Sequence, residues 1–211
     1  MAIYKKPDYW SLKAQAEGYP ARSVYKLKEI DEKFNLLPGL SGPGRADSPF
    51  KILDLGAAPG SWSLYALRRM AGRLFLAAAD LLPLSRQYDK GLFEGKNFFF
   101  VQGDITEKET REALLSRGPY HLVISDAAPA TTGNRLVDTG CSLSLAETAF
   151  RYAKTALLPG GSLVVKIFQG EGAPELLTLI RGTFKTGKSF KPRSCRGNSF
   201  ETYYIGLGAL N

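Results

Sequence analysis

Asp54-Leu-Gly-Ala-Ala-Pro-Gly-Ser-Trp-Ser63 follows the short apolar run Lys51-Ile-Leu53 and leads into a helical stretch, 64–71. Strand, glycine turn and helix, in that order, is the layout of a nucleoside-cofactor loop in an open α/β sheet. Gly56 and Gly60 carry no Cβ, so the backbone can approach a ligand closely at both positions. The details argue against a dinucleotide. A pyrophosphate needs a cradle of free backbone N–H groups at a helix N-terminus. Here Pro59 removes one donor, and Ala58 stands where the dinucleotide fingerprint has its second glycine. The loop suits a cofactor that has a nucleoside and no phosphate, and S-adenosylmethionine is the natural candidate.

Working outward from this loop, strands are expected at 51–55, 74–79, 98–102, 121–125 and 162–168. Helices are expected at 61–71, 107–117, 141–157 and 174–184, and an earlier one at 22–37, where Tyr25, Leu27, Ile30 and Phe34 recur at helical spacing. Strands separated by helices imply right-handed crossovers and a mostly parallel sheet. The segments 189–192 and 201–206 lie close together with no helix between them, which predicts an antiparallel edge pair. The fold class is therefore α/β and Rossmann-like: a mostly parallel, seven-stranded sheet with an antiparallel C-terminal hairpin and helices on both faces. The whole chain reads as one domain, with 1–37 as an N-terminal extension and helix and 51–211 as the core. The segment 38–50, rich in Gly and Pro, reads as an exposed insertion.

Bulk properties narrow the partners. No apolar stretch approaches the roughly 20 residues of a membrane span. The N-terminus lacks an apolar core, so no signal peptide is expected. Two distant cysteines, Cys141 and Cys195, exclude a disulfide framework and make a reducing cytoplasm the default. With them and the single histidine, His121, no zinc site can be assembled, and no metal is expected. The net charge of +8 points to a polyanion. From Arg181 to the end there are six basic residues against one acid, Glu201. Near the N-terminus Lys5, Lys6, Lys13, Arg22, Lys26, Lys28 and Lys33 interleave with Tyr4, Tyr9, Trp10, Tyr19 and Tyr25. Cations mixed with aromatics suit a nucleic acid, through phosphate contacts and base stacking.

The chemistry-bearing residues sit at strand ends. Asp80 ends the second strand, 24 positions after Gly56, where a carboxylate can accept from both hydroxyls of a ribose. A helix cap is the alternative. Asp104 ends the third strand and could accept from an adenine amino group, with a turn role as its competitor. Asp126-Ala-Ala-Pro129 ends the fourth. It lacks the proline pair and aromatic with which base-amino methyltransferases flip a base. Lys166 lies inside the apolar strand Ser162-Leu-Val-Val-Lys-Ile-Phe168, and a buried ammonium is costly unless paired. Its strand should open into the cleft beside Asp126; a structural salt bridge is the plainer reading. Glu201 starts the last strand, where a surface role is the plainer reading. No Ser-His-acid set can be built, so a general base must come from Lys, Asp, Glu or Tyr.

Taken in order, Tyr25-Lys-Leu-Lys-Glu-Ile30, the 53–63 loop, Ala79-Asp-Leu-Leu-Pro83, Ser125-Asp-Ala-Ala-Pro129, Val164-Val-Lys-Ile-Phe-Gln-Gly-Glu-Gly172 and Ser199-Phe-Glu-Thr-Tyr203 resemble the FtsJ/RrmJ family of RNA ribose 2′-O-methyltransferases. The resemblance runs from about Asp8 to the end of the chain and is greatest to the bacterial members. It implies S-adenosylmethionine-dependent 2′-O-methylation of a uridine in the A-loop of 23S rRNA, in the large ribosomal subunit, by a monomer. It carries over a catalytic set of Lys26, Asp126, Lys166 and Glu201, and cofactor contacts at Gly60, Trp62, Asp80, Asp104 and Asp126, beside the Gly56 turn. It departs from the family pattern at Pro20-Ala21, Ala130 and Cys195, and in longer 38–50 and 85–96 segments. Ribose methylation of tRNA or an mRNA cap is the alternative within the class. An NAD-dependent oxidoreductase on the same sheet, or an RNA-binding protein with a dead site, is the alternative outside it.

Overall fold

The computed structural model describes residues 8–38, 48–197 and 199–210. Two N-terminal helices, α1 (Tyr9–Ala16) and α2 (Val24–Phe34), precede the first strand, β1 (Phe50–Leu55). Then follow α3 (Ser61–Met70), β2 (Leu74–Asp80), β3 (Phe98–Gln102), α4 (Lys108–Leu115), β4 (Tyr120–Ser125), α5 (Arg135–Ala156), β5 (Leu157–Phe168), α6 (Ala173–Thr183), β6 (Phe184–Phe190) and β7 (Glu201–Ala209). The strands form one seven-stranded sheet in the order β3-β2-β1-β4-β5-β7-β6. The chain winds outward from β1 to one edge, then returns to β4 and winds to the other. The crevice between β1 and β4 is therefore the topological switch point, where such sheets bind ligands.

Alternation along the strands fills two cores. Ile52, Leu76, Ile124 and Val164 face α2 and α3, meeting Leu27, Ile30 and Leu64. Leu53, Ala77, Val123 and Val165 face α4, α5 and α6, meeting Leu114, Ala149 and Ile180. Burial on both faces explains the near-continuous apolar runs of the parallel strands.

Several boundaries differ from the sequence expectations. α1 is short and its apolar residues are spread round the helix, so its period is weak; Asp8 starts it by accepting from the Ser11 N–H at 2.9 Å. α2 stops at Phe34 because Asn35 turns left-handed at φ 51°. α5 begins six residues before Cys141, where Asn134 caps it by accepting from Leu136 and Val137 N–H groups. Its first turns carry exposed Leu136 and Val137, which hid the helical face. β6 starts directly after α6, five residues before the predicted 189. The expected antiparallel pair exists, yet only β6 is an edge: β7 lies between β5 and β6 and is antiparallel to both.

The N-terminal helices are fixed to the core by a buried carboxylate. Asp31 accepts from the Leu37 N–H at 2.8 Å and from the Tyr65 hydroxyl at 2.8 Å, joining α2 to α3. Asp31→Ala leaves both donors buried without a partner, a loss of about 1–3 kcal/mol for each orphaned group. The expected outcome is a melting temperature lower by about 2–4 °C per kcal/mol for a chain of this size. An unchanged melting temperature in calorimetry would mean that apolar packing alone seats α2.

Candidate active site

Strand register brings the predicted polar residues together. Ser125 pairs with Val165 across β4 and β5, so the next residues up the ladder, Asp126 and Lys166, stand side by side. The Lys166 Nζ lies 3.0 Å from Asp126 Oδ1 and also donates to the Asp126 main-chain carbonyl. Lys166 pairs with Tyr203 across β5 and β7, and the Tyr203 hydroxyl donates to the same Asp126 Oδ1 at 2.8 Å. Two residues along β7, Glu201 accepts from Lys26 Nζ at 2.8 Å. Lys26 comes from the first turn of α2, far away in sequence. It is held there because Trp62 Nε1 donates to the Ser23 carbonyl at 2.8 Å and the Ala21 N–H donates to Ser61 Oγ at 2.9 Å.

The result is two interlocked ion pairs at the carboxyl edge of the sheet. Burial opposes the charge on Asp126, yet the cations of Lys166 and Lys26 and the Tyr203 hydroxyl hold its carboxyl below the usual range. Burial likewise opposes the charge on Lys26, but the carboxylates of Asp126 and Glu201 raise its pKa above the ordinary lysine value. Lys26 is thus a fixed ammonium at neutral pH. Burial also pushes the neighbouring Cys195 thiol up to about 12, with the Glu201 carboxylate adding to it, so this thiol stays protonated beside the quartet.

Next to the quartet lies a cleft of about 450 Å³, lined by Gly56, Asp80, Asp104, Ala127, Pro129 and Leu145 among others. Its floor is made by close backbone approach. A Cβ on Gly56, whose φ is +74°, would stand 2.6 Å from the Ala127 backbone. Asp80 accepts from the Ala58 N–H at 2.9 Å and the Leu82 N–H at 2.8 Å, so it holds the 56–60 loop as well as lining the cleft. Asp104 does the same double duty, accepting from the Thr106 N–H and hydroxyl at 2.8 Å each. Asp104 therefore fills the turn role that competed with ligand binding; Asp80 caps no helix and instead ties the 56–60 loop to the end of β2, and both border the cleft.

Gly60, Trp62 and Asp126 do not line this cleft among the described residues. Gly60 faces the other way: at φ +106°, a Cβ there would meet the Phe93 ring at 2.8 Å. That ring belongs to the 85–96 segment, which braces the loop from outside through Phe93 and a Ser85 N–H to Pro59 carbonyl bond of 3.0 Å. The Trp62 ring is buried against Tyr203 at 5.8 Å, so it holds Lys26 in place and its side chain is turned away from the cleft. Most of the 38–50 insertion, and Lys5 and Lys6, lie outside the described residues.

Two functional positions escaped the sequence reading. Tyr203 stood in the sequence only as the last residue of the 199–203 motif. Asp54, in the loop motif itself, is fully buried; Ser63 donates to one oxygen at 2.7 Å and the other has no partner. Burial pushes this carboxyl up to about 7. An orphaned carboxylate oxygen at the root of the glycine loop, beside a cleft with a ribose-type acceptor, fits a cofactor that carries positive charge. Among the described residues there is no cluster suited to a metal ion, and no helix is long and apolar enough to cross a membrane.

A second, smaller cleft of about 240 Å³ opens on the far side of the quartet, lined by Arg22, Ser23, Lys26, Arg196, Ser199 and Glu201. The N-terminal and C-terminal basic segments meet here. Arg22 donates to Asp8 and to the Ser194 carbonyl, and Glu29 accepts from the Arg193 and Ser194 N–H groups at 2.7 and 2.9 Å.

A sheet in this order, with a cleft at its switch point, defines a Rossmann-like methyltransferase fold. The chain belongs to the FtsJ-like methyltransferase family, which it matches over residues 19–209. It is 52% identical over 206 residues to the ribosomal RNA large subunit methyltransferase E of Treponema denticola, covering 97% of this chain and 96% of that one. Among solved structures it resembles a ribosomal RNA methyltransferase of Plasmodium falciparum, with a TM-score of 0.73 and 25% identity over 92% of this chain and all of that one. A more distant fold relative, the 1,6-didemethyltoxoflavin N1-methyltransferase of Burkholderia thailandensis, was solved with S-adenosylhomocysteine; its TM-score is 0.54 at 15% identity, covering 99% of this chain and 93% of that one.

The pairing fixes a pH dependence. The folded pKa of Asp126 lies below its unfolded value, so the folded state binds fewer protons in the acid range. That contribution is present above about pH 4, the unfolded carboxyl value, and is lost as pH falls through the folded pKa. Asp126→Asn should make the acid limb of melting temperature against pH shallower. A limb of unchanged steepness would mean that Asp126 is not ionised in the folded protein. For Lys26 the sign reverses: its contribution is present at neutral pH and is lost above about 10.4 as pH rises through the folded value.

Proposed function

We propose that this protein transfers a methyl group from S-adenosylmethionine to a ribose 2′-hydroxyl of RNA. The RNA is 23S rRNA within the large ribosomal subunit, and its methylated residue is a uridine of the A-loop. The observation that carries the reading is the quartet of Lys26, Asp126, Lys166 and Glu201, closed by Tyr203 and set between a nucleoside cleft and a basic one. The name borne by relatives such as that of Treponema denticola supports the rRNA substrate. One copy of the chain supplies all four polar groups, so a monomer suffices.

Bound S-adenosylmethionine supplies a methyl on a sulfonium whose charge is lost on transfer. The protein's work is therefore mainly alignment. Asp80 and Asp104 would hold the ribose and adenine, and Asp54 would face the charged end through the glycine loop. Asp126 holds Lys166 by carboxylate and main-chain carbonyl at once, which fixes the Nζ at the sheet edge. From there Lys166 steers the 2′-hydroxyl; once the ammonium has given its own proton to solvent, the free amine receives the proton that the oxygen releases as its new bond to carbon forms. Lys26 is locked by Glu201 as an ammonium beside this pair, which fixes the polar wall against which the ribose is aligned.

Single-turnover methylation at saturating cofactor and rRNA tests the role of Lys166. Lys166→Ala should lower the rate by at least the roughly 10²–10⁴-fold of a lost general base, with cofactor still binding. Lys166→Arg should not restore it, because a guanidinium cannot take a proton near neutral pH. A Lys166→Ala variant that keeps more than about a tenth of the rate, well short of a lost base, would reduce Lys166 to a structural ion pair.

Cofactor affinity tests the cleft. Asp80→Ala should weaken S-adenosylmethionine binding in calorimetry by about 1–3 kcal/mol, the scale of charged hydrogen bonds. Part of the loss is that of the Ala58 N–H, whose acceptor disappears. Undiminished affinity would move the ribose away from Asp80.

A further inference from the structure

Lys166 is buried, so a nucleotide that turns its ribose inward to reach it loses stacking on its neighbours, which costs a few kcal/mol unless another π-surface replaces them. Such a surface stands beside the catalytic carboxylate. Phe200 immediately precedes Glu201, and Glu201 pairs across the ladder with Phe168, two residues beyond Lys166. Two residues of strand span about 7 Å, so this aromatic pair lies just past the reacting amine. Phe168 is buried, whereas Phe200 stands edge-on to it at 4.8 Å and keeps part of its surface open. The Phe200 main chain is pinned, its carbonyl accepting from the Gln169 N–H at 2.9 Å.

A planar cation faces the same ring. The Arg135 guanidinium, exposed in the first turn of α5, lies 5.5 Å from the Phe200 centroid. Beside it Leu136 is 71% exposed, and Val137 is exposed too. An anchored, half-open phenyl ring, an exposed guanidinium over it and an uncovered aliphatic rim make up the elements with which proteins stack unpaired bases. Nothing in the quartet or the cofactor cleft uses them.

We propose that Phe200 and Arg135 form a subsite that stacks the nucleobase of the nucleotide being methylated, Phe200 on one side and Arg135 closing on the other. The inference rests on the RNA substrate proposed above. The subsite reads a π-face and not a hydrogen-bond pattern, so it positions the ribose and leaves base identity to other contacts.

Phe200→Leu keeps the packing on Phe168 and removes the π-face. With an rRNA fragment spanning the methylation site, it should raise KM and the RNA dissociation constant about 5- to 150-fold, the range of a lost base–aromatic stack. Cofactor affinity should not change. Phe200→Trp should restore RNA binding. The decisive comparison is an RNA with an abasic residue at the methylated nucleotide. It should bind wild-type protein more weakly than intact RNA does, but bind Phe200→Leu no more weakly than intact RNA does. Additive effects of the abasic residue and the substitution, or an RNA affinity within twofold of wild type in Phe200→Leu, would overturn the proposal. So would a fall in turnover alone, which would make Phe200 a mere support of Glu201. Should every change at Phe200 impair folding, Arg135→Gln on the exposed helix start gives an independent reading: weaker binding of intact RNA with no further loss for abasic RNA is expected, and unchanged binding overturns the subsite. If wild-type protein methylates no rRNA at all, it is the proposed function that fails.

Discussion

Asp126 holds together three strands and two charges, and the rest of the site is arranged around it. Its Oδ1 receives Lys166 from β5 and the Tyr203 hydroxyl from β7, and its main-chain carbonyl receives Lys166 again. A one-residue slip of either ladder would turn Lys166 or Tyr203 to the opposite face. The registers of β4 with β5 and of β5 with β7 are therefore part of the chemistry. They are secured by apolar neighbours on both sides: Val165 and Ile167 on one face, Val164 and Ile205 on the other. Lys166 can lie in this strand because its charge meets a carboxylate that is itself fully engaged; an unpaired ammonium there would carry the full desolvation penalty.

The cofactor cleft obeys a different constraint, steric and not electrostatic. The 56–60 loop passes so close to Ala127 that only glycine fits at position 56. It is held from within by Asp80 and from outside by Phe93. Asp80 and Asp104 show how a carboxylate can hold backbone and border a cleft at once. Each uses lone pairs on its own backbone, and that bonding fixes the direction in which the side chain borders the cleft. Reading such residues as either caps or ligands poses a choice that the geometry does not require.

These arrangements account for what could be read from the sequence. The parallel strands were legible because burial on both faces makes them continuous apolar runs with turn residues at their ends. The glycine loop was legible because it breaks such a run in a patterned way. Lys166 stood out because a charge inside an apolar strand needs an explanation. Lys26 and Glu201 had no such signal: one is a lysine on an amphipathic helix, the other a glutamate at a strand start, and only the family resemblance singled them out. Their meeting depends on contacts between distant segments, above all Trp62 with Ser23. The direction of the Trp62 ring was hidden for the same reason. A residue next to the loop in sequence is expected near the ligand, but the first turn of α3 points its ring beneath the sheet edge toward α2. Asp54 was hidden by its position in the motif, where the glycines draw attention and the buried carboxylate looks like part of the strand.

The distribution of charge separates chemistry from grip. Within the quartet two cations face two carboxylates, so both lysines are largely neutralised by their own partners. The protein's net charge of +8 must therefore act from elsewhere. Its C-terminal share lies in the tail that Glu29 and Arg22 bind to the N-terminal helices, and Arg196 opens from that tail into the cleft beside the quartet. A polyanion drawn to this face meets long-range attraction at the rim and a balanced, desolvated site at the centre. That division has a physical advantage. Phosphates held at the rim do not compete for the lysines, because the carboxylates of Asp126 and Glu201 already occupy them at short range, where attraction outweighs a screened charge farther away. A neutral hydroxyl pays no such electrostatic penalty on entry, so a balanced, desolvated centre of this kind favours a hydroxyl over a phosphate.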